Sequence, residues 1–468
     1  MKKKLELLDD TICAICTPSG VGSVSVIRIA GPASRKIATD LFKSRSSNGF
    51  LEHRKTYVGN IEYGGRVIDE CMCVFFESPN SLTGQDVVEF HTHGGPIVPN
   101  MVLKSIVDHG EARVAEPGEF TYRSFINGKI DLLKAEAISS LITSQSEAAA
   151  TCSTNNISGA VTKKFNNLRE LGVNLLAEIE ARVDFPEEEI PEVDTKIILK
   201  EFAGIIAESS SLLRTYGLGK LIVDGLRVLI LGEPNVGKST LLNSLIEEEK
   251  AIVTDTPGTT RDIVDSEVFI NGTKVIFSDT AGIRVTTDAV ENIGITKAKE
   301  KIFYSDLVLI VIDKNVDFSF TDRMFSFVPR EKTLYVLNKS DLYPPDKQWG
   351  IEKRLDKENI DHIRVSAKNQ TNIGLLTNKL LRFGKINDFL GSNEALLTTE
   401  RQVNHLKDAI SNLEKASALF NDHAPMEIVS IEIRDFLNNV GKITGEISNE
   451  DIYDALFSKF CIGKYGMQ

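Results

Sequence analysis

A glycine-rich turn set between an apolar run and a helical pattern limits most sharply what this chain can fold into. Leu226–Leu231 (LRVLIL) leads into Gly232-Glu-Pro-Asn-Val-Gly-Lys-Ser239, and Thr240–Ile246 continues with helical spacing. A short continuous apolar run suits a parallel strand covered on both faces. Between a strand and a helix, this glycine, lysine and serine spacing is a P-loop: the glycines let the backbone wrap an anion, and the first helical amides point at it. Lys238 is then aimed at the β- and γ-phosphates of a nucleotide, and the Ser239 hydroxyl can hold Mg²⁺. Leu307–Ile312 and Thr333–Leu337 are further buried-strand candidates, and Asn271-Gly272 joins Glu267–Ile270 to Thr273–Phe277 as a hairpin. Strands alternating with helices predict a three-layer α/β domain from about Leu226 to Gly384.

Three segments downstream complete a nucleotide site. Asp279-Thr-Ala-Gly282 follows a strand and offers a carboxylate to a metal shell and a glycine N–H to a γ-phosphate. Asn338-Lys-Ser-Asp341 ends another strand, and the Asp341 carboxylate can accept from the N1–H and 2-amino groups of guanine, a pattern adenine lacks. Ser366-Ala367-Lys368 closes the base pocket. These segments in this order resemble the GTPase superfamily, which makes GTP the nucleotide. Ras-type members place a glutamine directly after Asp-x-x-Gly to orient water, and this chain has Ile283 there. An aliphatic side chain cannot polarise water, so hydrolysis needs another oriented group and another positive charge. Asn235 can offer an oxygen to a monovalent cation, and the switch loop Thr254-Asp-Thr-Pro-Gly-Thr-Thr-Arg-Asp262 has carbonyls and hydroxyls to complete that cage. Glu291 is a candidate for orienting water; by spacing alone it reads equally as an exposed helix carboxylate.

Composition bounds the rest. The chain has 468 residues and a formal net charge of −12, which suggests about three domains and argues against a protein that coats nucleic acid by bulk charge. Its apolar runs are about six residues long, well short of the roughly 20 that a bilayer requires, so no membrane span is expected. The basic N-terminus is not followed by a signal-peptide pattern, and six cysteines make no disulfide framework, which points to a reducing cytoplasm. Cys13-x-x-Cys16 and Cys71-x-Cys73 could supply four thiolates to zinc. Both pairs lie in expected strands (Thr11–Cys16, Val67–Phe76), where buried cysteine is the simpler reading. His91-Thr-His93 likewise reads as packing rather than metal binding. Leu132–Ala181, Glu394–Phe420 and Asp451–Phe460 have helical patterns, and the acidic, proline-bearing stretch Asp184–Asp194 reads as a loop.

The ends of the chain carry a more specific resemblance. Thr11-Ile-Cys-Ala-Ile-Cys-Thr-Pro-Ser-Gly, Val26-Ile-Arg-Ile-Ala-Gly31, Leu82-Thr-Gly-Gln-Asp-Val-Val-Glu-Phe90, His93-Gly-Gly-Pro96 and Pro117-Gly-Glu-Phe120 stand in the first third. Phe125-Ile-Asn-Gly-Lys-Ile-Asp-Leu132, Asp184-Phe-Pro-Glu-Glu188, Gly258-Thr-Thr-Arg-Asp262 and the closing Cys461-Ile-Gly-Lys464 follow. Together they resemble the tRNA-modifying GTPases of the MnmE (TrmE) family over essentially the whole length. The resemblance implies a multi-domain α/β plus all-α protein. Residues 1–127 would be an α/β tetrahydrofolate-binding-like domain that also dimerises the chain. Residues 128–224 and 386–468 would be two parts of a discontinuous helical domain, and residues 225–385 an inserted Ras-like P-loop G domain.

The resemblance also implies roles. GTP or GDP would meet Asn235, Val236, Gly237, Lys238, Ser239 and Thr240 of the P-loop. It would also meet Thr254, Asp255, Thr256, Pro257, Gly258, Thr259 and Thr260 of the switch loop, Asp279, Thr280, Ala281 and Gly282, and Asn338, Lys339, Asp341, Ser366 and Ala367. Ser239 and Thr260 would hold Mg²⁺, while Asn235, Thr254, Thr256 and Thr259 would hold K⁺ where other GTPases use an arginine finger. Glu291 would orient water and Arg261 support the switch loop. Arg28, Glu89, Lys129 and Lys464 would line a pocket for 5,10-methylenetetrahydrofolate or 5-formyltetrahydrofolate, with Cys461 a thiol near it. Acting with the FAD-dependent GidA (MnmG) protein as a heterotetramer, such a protein adds an aminomethyl or carboxymethylaminomethyl group to carbon five of the wobble uridine of tRNA. The alternative is an RNA-binding regulatory or ribosome-assembly GTPase without modification chemistry. Two departures stand out: Gly20-Val-Gly-Ser-Val24 lacks the arginine of the family's Gly-Arg-Gly-Gly-Val, and Tyr465-Gly-Met-Gln468 follow the lysine at which the family normally stops.

Overall fold

The structure, a computed structural model, describes residues 10–46, 51–184, 195–248, 265–278, 300–343, 349–384, 386–389 and 394–447. The chain divides into two compact units, Met1–Ser139 with Leu437–Gln468, and Ser140–Phe436.

The first unit is built on a seven-stranded sheet of order β3-β4-β5-β6-β2-β1-β7. Its elements run β1 (Ile12–Ile15), β2 (Val24–Ala30), α1 (Ser34–Leu41), β3 (Phe42–Ser44), β4 (Thr56–Tyr63), β5 (Arg66–Phe76), β6 (Val87–His93), α2 (Val98–Asp108), β7 (Arg113–Val114) and α3 (Glu119–Ile126). Alternation decides the two faces. Ile27 and Ile29 of β2, Cys71 and Cys73 of β5, and Val88 and Phe90 of β6 face a core shared with Ile37, Val102 and Ile106 of the helices. Residues of opposite parity, Ala14, Ala30 and Val87, meet Phe120 of α3 on the other face. Arg123 of α3 is only 1 % exposed and is bound by Glu119 at 2.8 Å and Asp10 at 2.5 Å. Burial alone would push the Glu119 carboxyl up, but bonds from Arg113, the Glu116 amide and Arg123 outweigh it and hold it below its ordinary value.

In the second unit the helices α5 (Glu147–Ile157), α6 (Ala160–Asp184), α7 (Thr195–Arg214) and α8 (Tyr216–Asp224) follow α4 (Leu132–Thr143), which begins in the first unit. After the sheet described next come α13 (Ile386–Phe389), α14 (Glu400–Asn421) and α15 (Met426–Thr444), which ends in the first unit. The expected helix-rich stretch 132–181 divides into three helices. Ser146 caps α5 by accepting from the Ala149 amide, and Gly159 turns the chain at φ +89° before α6. The return helix begins at Glu400 rather than at the expected Glu394, because Thr399 and Gln402 form a capping box there. Phe202 of α7 stacks near Phe420 of α14, ring centroids 6.1 Å apart.

Inserted between α8 and α13 is a six-stranded sheet of order β13-β12-β11-β8-β10-β9. In chain order its parts are β8 (Leu226–Leu231), α9 (Lys238–Glu248), β9 (Asp265–Ile270), β10 (Thr273–Ser278), β11 (Leu307–Ile312), α10 (Phe318–Phe327), β12 (Thr333–Leu337), α11 (Gly350–Lys357), β13 (His362–Arg364) and α12 (Ile373–Phe383). The expected strands at 226–231, 307–312 and 333–337 stand at those bounds. Only β9 runs antiparallel, against β10, with Ile270 opposite Thr273. The apolar runs are explained by burial on both sides: Leu307, Leu309 and Val311 enter one core and Val308, Ile310 and Ile312 the other. Each such aliphatic side chain contributes about 1.5–3 kcal/mol when fully buried. The outgoing and returning chains both run against α8. Gly225 caps α8 immediately before β8, and Gly219 lets the Leu397 carbonyl approach so closely that a Cβ there would lie 2.1 Å from it. Leu397 also donates its amide to Thr215 Oγ1 at 3.1 Å, and Asn156 donates to the Leu396 carbonyl at 3.0 Å.

Candidate nucleotide site

The loops after β8, β11, β12 and β13 all leave the sheet at the carboxyl ends of parallel strands, the edge at which open α/β sheets place ligands. Gly232 turns the chain off β8 against β11; a Cβ on it would lie 2.3 Å from the Val311 carbonyl oxygen, so only glycine fits. Asn235 adopts a left-handed φ of 64° and Gly237 one of 95°, which bends residues 232–238 into a loop around the start of α9. Lys238 Nζ donates to the Gly232 carbonyl at 3.0 Å and the Glu233 carbonyl at 2.8 Å. Its ammonium therefore sits within the loop, at the positive end of a helix, a setting that favours an anion. Ser239 lies in the first turn of α9 with an exposed side chain, an oxygen donor on the loop's open side.

Asn338 ties three of the expected segments together. It is 2 % exposed, donates through Nδ2 to the Val236 carbonyl at 2.9 Å, and accepts at Oδ1 from the Ala367 amide at 3.0 Å. Close packing of Gly237 against it leaves no room for a side chain, since a Cβ would lie 2.4 Å from Asn338 Nδ2. Lys339, at a left-handed φ of 59°, donates to the Asn235 carbonyl at 2.6 Å and to Asp313 at 3.1 Å. Ser366 Oγ donates to Asp341 Oδ1 at 2.5 Å and accepts from the Asn369 amide at 3.2 Å, which fixes the carboxylate's direction. Ser244 of α9 donates to the Ala367 carbonyl at 2.5 Å, holding that loop on the helix.

Asn235, Val236, Gly237, Lys238, Asn338, Lys339, Asp341, Ser366 and Ala367 are thus brought into one bonded assembly, with Ser239 and Thr240 in the adjoining turn. The sequence reading does not include Asp313 or Ser244; the position of Asp313 directly after a buried strand is the signal available for it. Thr254 to Thr260, Arg261, Asp279 to Gly282, Glu291, Cys461 and Lys464 lie outside the described residues, as do the expected helix Asp451–Phe460 and the loop residues 185–194.

In the first unit, Arg28 of β2 and Glu89 of β6 stand opposite each other and are joined by Arg28 Nε to Glu89 Oε1 at 2.8 Å. The Arg28 guanidinium lies 5.4 Å from the Phe120 ring centroid, and His91 Nε2 approaches Glu89 Oε2 at 3.4 Å. Lys129 is exposed, with its stem beside Gly84. Nearby, Gly20 and Gly22 line a cavity of about 390 Å³ with Thr17, Ser25, Pro96 and Asn100; Val21 also lines it and is 99 % exposed. Cys13 and Cys71 are buried in the sheet core with thiols pushed up to about 12, and burial pushes the Cys73 thiol up further. This is the buried-strand arrangement for these three; Cys16, expected in the same strand, lies one residue beyond β1 and is exposed. The two histidines belong to β6, where His93 Nδ1 pairs with Asp69 Oδ1 at 2.7 Å; the bond from Asp69 holds its imidazole above the ordinary range.

Comparison with known proteins matches both ends of this description. The family model for the GTP-binding protein TrmE N-terminus covers residues 11–129, and that for the MnmE helical domain covers residues 132–461. The tRNA modification GTPase MnmE of Acetivibrio thermocellus is 38 % identical over 459 residues, which is 97 % of this chain and 99 % of that protein. The proteins of the same description from Natranaerobius thermophilus and Carboxydothermus hydrogenoformans are 35 % and 36 % identical, each over 98 % of this chain and 100 % of the relative. With matches that run its full length, the chain belongs to the MnmE family.

Proposed function

We propose that this protein hydrolyses GTP in the service of tRNA modification, as its relatives are named for doing. The single observation that carries the nucleotide reading is the Asn338 strut, which joins the P-loop to the Asp341 and Ser366 loops and so binds phosphate and base recognition into one rigid frame. Lys238 leaves the Gly232 and Glu233 carbonyls to meet the β- and γ-phosphates, and the amides at the start of α9 donate to the same oxygens. Asp341, oriented by Ser366, accepts from the guanine N1–H and 2-amino group. Ser239 and Thr260 would hold Mg²⁺, which would supply charge neutralisation at the phosphates. Thr254, Asp255, Thr256, Pro257, Gly258, Thr259 and Thr280 to Gly282 belong to the segments that follow the γ-phosphate.

Finer readings follow from the residues at hand. Asn235, with Thr254, Thr256 and Thr259, would hold K⁺, which would supply positive charge beside the phosphates. Glu291 orients the attacking water, and Arg261 supports the switch loop. Arg28 and Glu89 form a half-buried charged pair beside Phe120, whose remaining hydrogen-bonding groups suit a pterin. With Lys129 and Lys464 they bind a one-carbon tetrahydrofolate (5,10-methylene or 5-formyl), with Cys461 nearby. The protein acts as a homodimer through residues 1–127, in the cytoplasm, with the FAD-dependent GidA (MnmG) protein and tRNA as partners. Its divisions are 1–127, 128–224, 225–385 and 386–468. Mass spectrometry of tRNA nucleosides tests the central claim. Cells lacking the gene should accumulate wobble uridine without the carbon-five group, and K238A should fail to restore it. An unchanged nucleoside profile in the deletion strain overturns the assignment.

A further inference from the structure

The start of α5 is capped by a residue 124 positions away in sequence, on a hairpin of the nucleotide-binding sheet. Ser146 Oγ answers the Ala149 amide at 3.1 Å, while the Ala148 amide donates to the Gly272 carbonyl at 3.1 Å. The first amides of a helix have no partner within it, and a carbonyl oxygen there also meets the positive end of the helix dipole. Gly272 therefore serves as a cap supplied from outside the helix. Its fit is tight: at φ 73°, a Cβ on Gly272 would lie 3.0 Å from Glu147 Oε2 and 3.1 Å from Glu147 Cβ. A second clamp adjoins it, for Lys274 Nζ donates to Gln145 Oε1 at 2.7 Å and pairs with Glu267 across the hairpin at 2.7 Å. Lys274 also packs on Gly225, where the chain enters the sheet; a Cβ there would lie 3.0 Å from Lys274 Cγ.

The hairpin's other end is chemically loaded. β10 finishes at Ser278, one residue before Asp279, about 17 Å along the strand from its tip. β9 begins at Asp265, three residues after Asp262 of the Gly/Thr-rich segment. We propose that the Gly272 carbonyl and the Lys274–Gln145 bond form a nucleotide-sensitive latch: a shift of the β9–β10 hairpin between the GTP and GDP states loosens or tightens the cap on α5 and carries the state of the nucleotide to the helices. This rests on the GTPase reading above. The residues that form the latch touch neither nucleotide nor metal; they are positioning residues.

Hydrogen exchange on the full-length protein, saturated with GDP or with a non-hydrolysable GTP analogue, reads the latch. The amides that open α5 should exchange at rates differing about fivefold between the two states, the worth of one helix cap. Asparagine tolerates the left-handed turn, so G272N keeps the hairpin while its side chain collides with Glu147. It should abolish the difference while nucleotide affinity and GTP turnover stay within about threefold. Should G272N fail to fold, Q145A, at an exposed position, should shrink the difference by half or more. Equal exchange in the two states of the wild-type protein, or an undiminished difference in the variants, overturns the latch. A turnover loss beyond tenfold would also overturn it, by making the hairpin part of the hydrolytic machinery. Failure of either nucleotide to bind would instead overturn the GTPase reading, and the latch with it.

Discussion

Asn338 donates to the Val236 carbonyl and accepts from the Ala367 amide, so one buried carboxamide closes the gap between the phosphate loop and the base loop. Truncation by N338A strands a buried carbonyl and a buried amide, each worth about 1–3 kcal/mol when left unpaired. The variant should lower the calorimetric transition of the nucleotide-binding sheet and weaken GTP binding about tenfold or more by titration calorimetry. Full-strength binding would show that the strut does not support the pocket.

Specificity for guanine should reside in one side chain. Asp341 is an acceptor on both oxygens, whereas an amide presents a donor. D341N should lose affinity for GTP about hundredfold, because the amide keeps one acceptor but turns a donor toward a guanine donor and gives up the carboxylate's charge. It should gain affinity for xanthosine triphosphate, whose 2-oxo group accepts where guanine donates. Competition binding checks both halves, and unchanged preference for GTP would remove Asp341 from base recognition.

The absence of a glutamine after Asp279-Thr-Ala-Gly282 makes the cation the point to test. GTP turnover should be about tenfold or more faster in KCl than in NaCl at equal ionic strength, and N235A should erase the difference while still binding nucleotide. Equal rates in both salts would sink the potassium reading.

Buried thiols make the protein sensitive to alkali. Cys13, Cys71 and Cys152 are pushed up to about 12 by burial. A group whose folded value is raised binds its proton more tightly than in the unfolded chain, so its contribution is whole below about pH 9 and is lost as pH climbs toward 12. The melting temperature should therefore fall steadily above pH 9. At pH 8 roughly one thiol in ten thousand at these sites is ionised, and iodoacetamide should leave all three unmodified until the protein is denatured. Peptide mapping with rapid native labelling at Cys13 or Cys152 would contradict the burial.

The nucleotide-binding sheet was largely legible because its signals are local. Six consecutive apolar residues at Leu307–Ile312 leave no polar face, so both sides must be covered, and Asn271-Gly272 supplies the two left-handed residues a tight hairpin needs. The P-loop residues were legible for the same reason, since each glycine answers a steric demand of its own turn. What was hidden depends on partners distant in sequence. Asp313 acquires a role only because β11 and β12 lie side by side and bring Lys339 to it. Residues 394–399 have an apolar content that fits a helix, yet Leu396 and Leu397 are held outside one by bonds to Asn156 and Thr215. The capping box of Thr399 and Gln402 then sets where the helix can start, and that local signal was there to be read.

The paired crossings at α8 have a consequence for assembly. Gly225 sends the chain out and Leu397 brings it back along the same short helix, so the inserted sheet leaves its host where a short turn would have left it. Closing a loop costs entropy that grows with the number of residues it spans, and here the insert's own folding brings its ends together. The helices on either side are thereby spared the search that so long a gap in sequence would otherwise impose. A short glycine–serine bridge across the same two points would be a natural replacement for the whole insert.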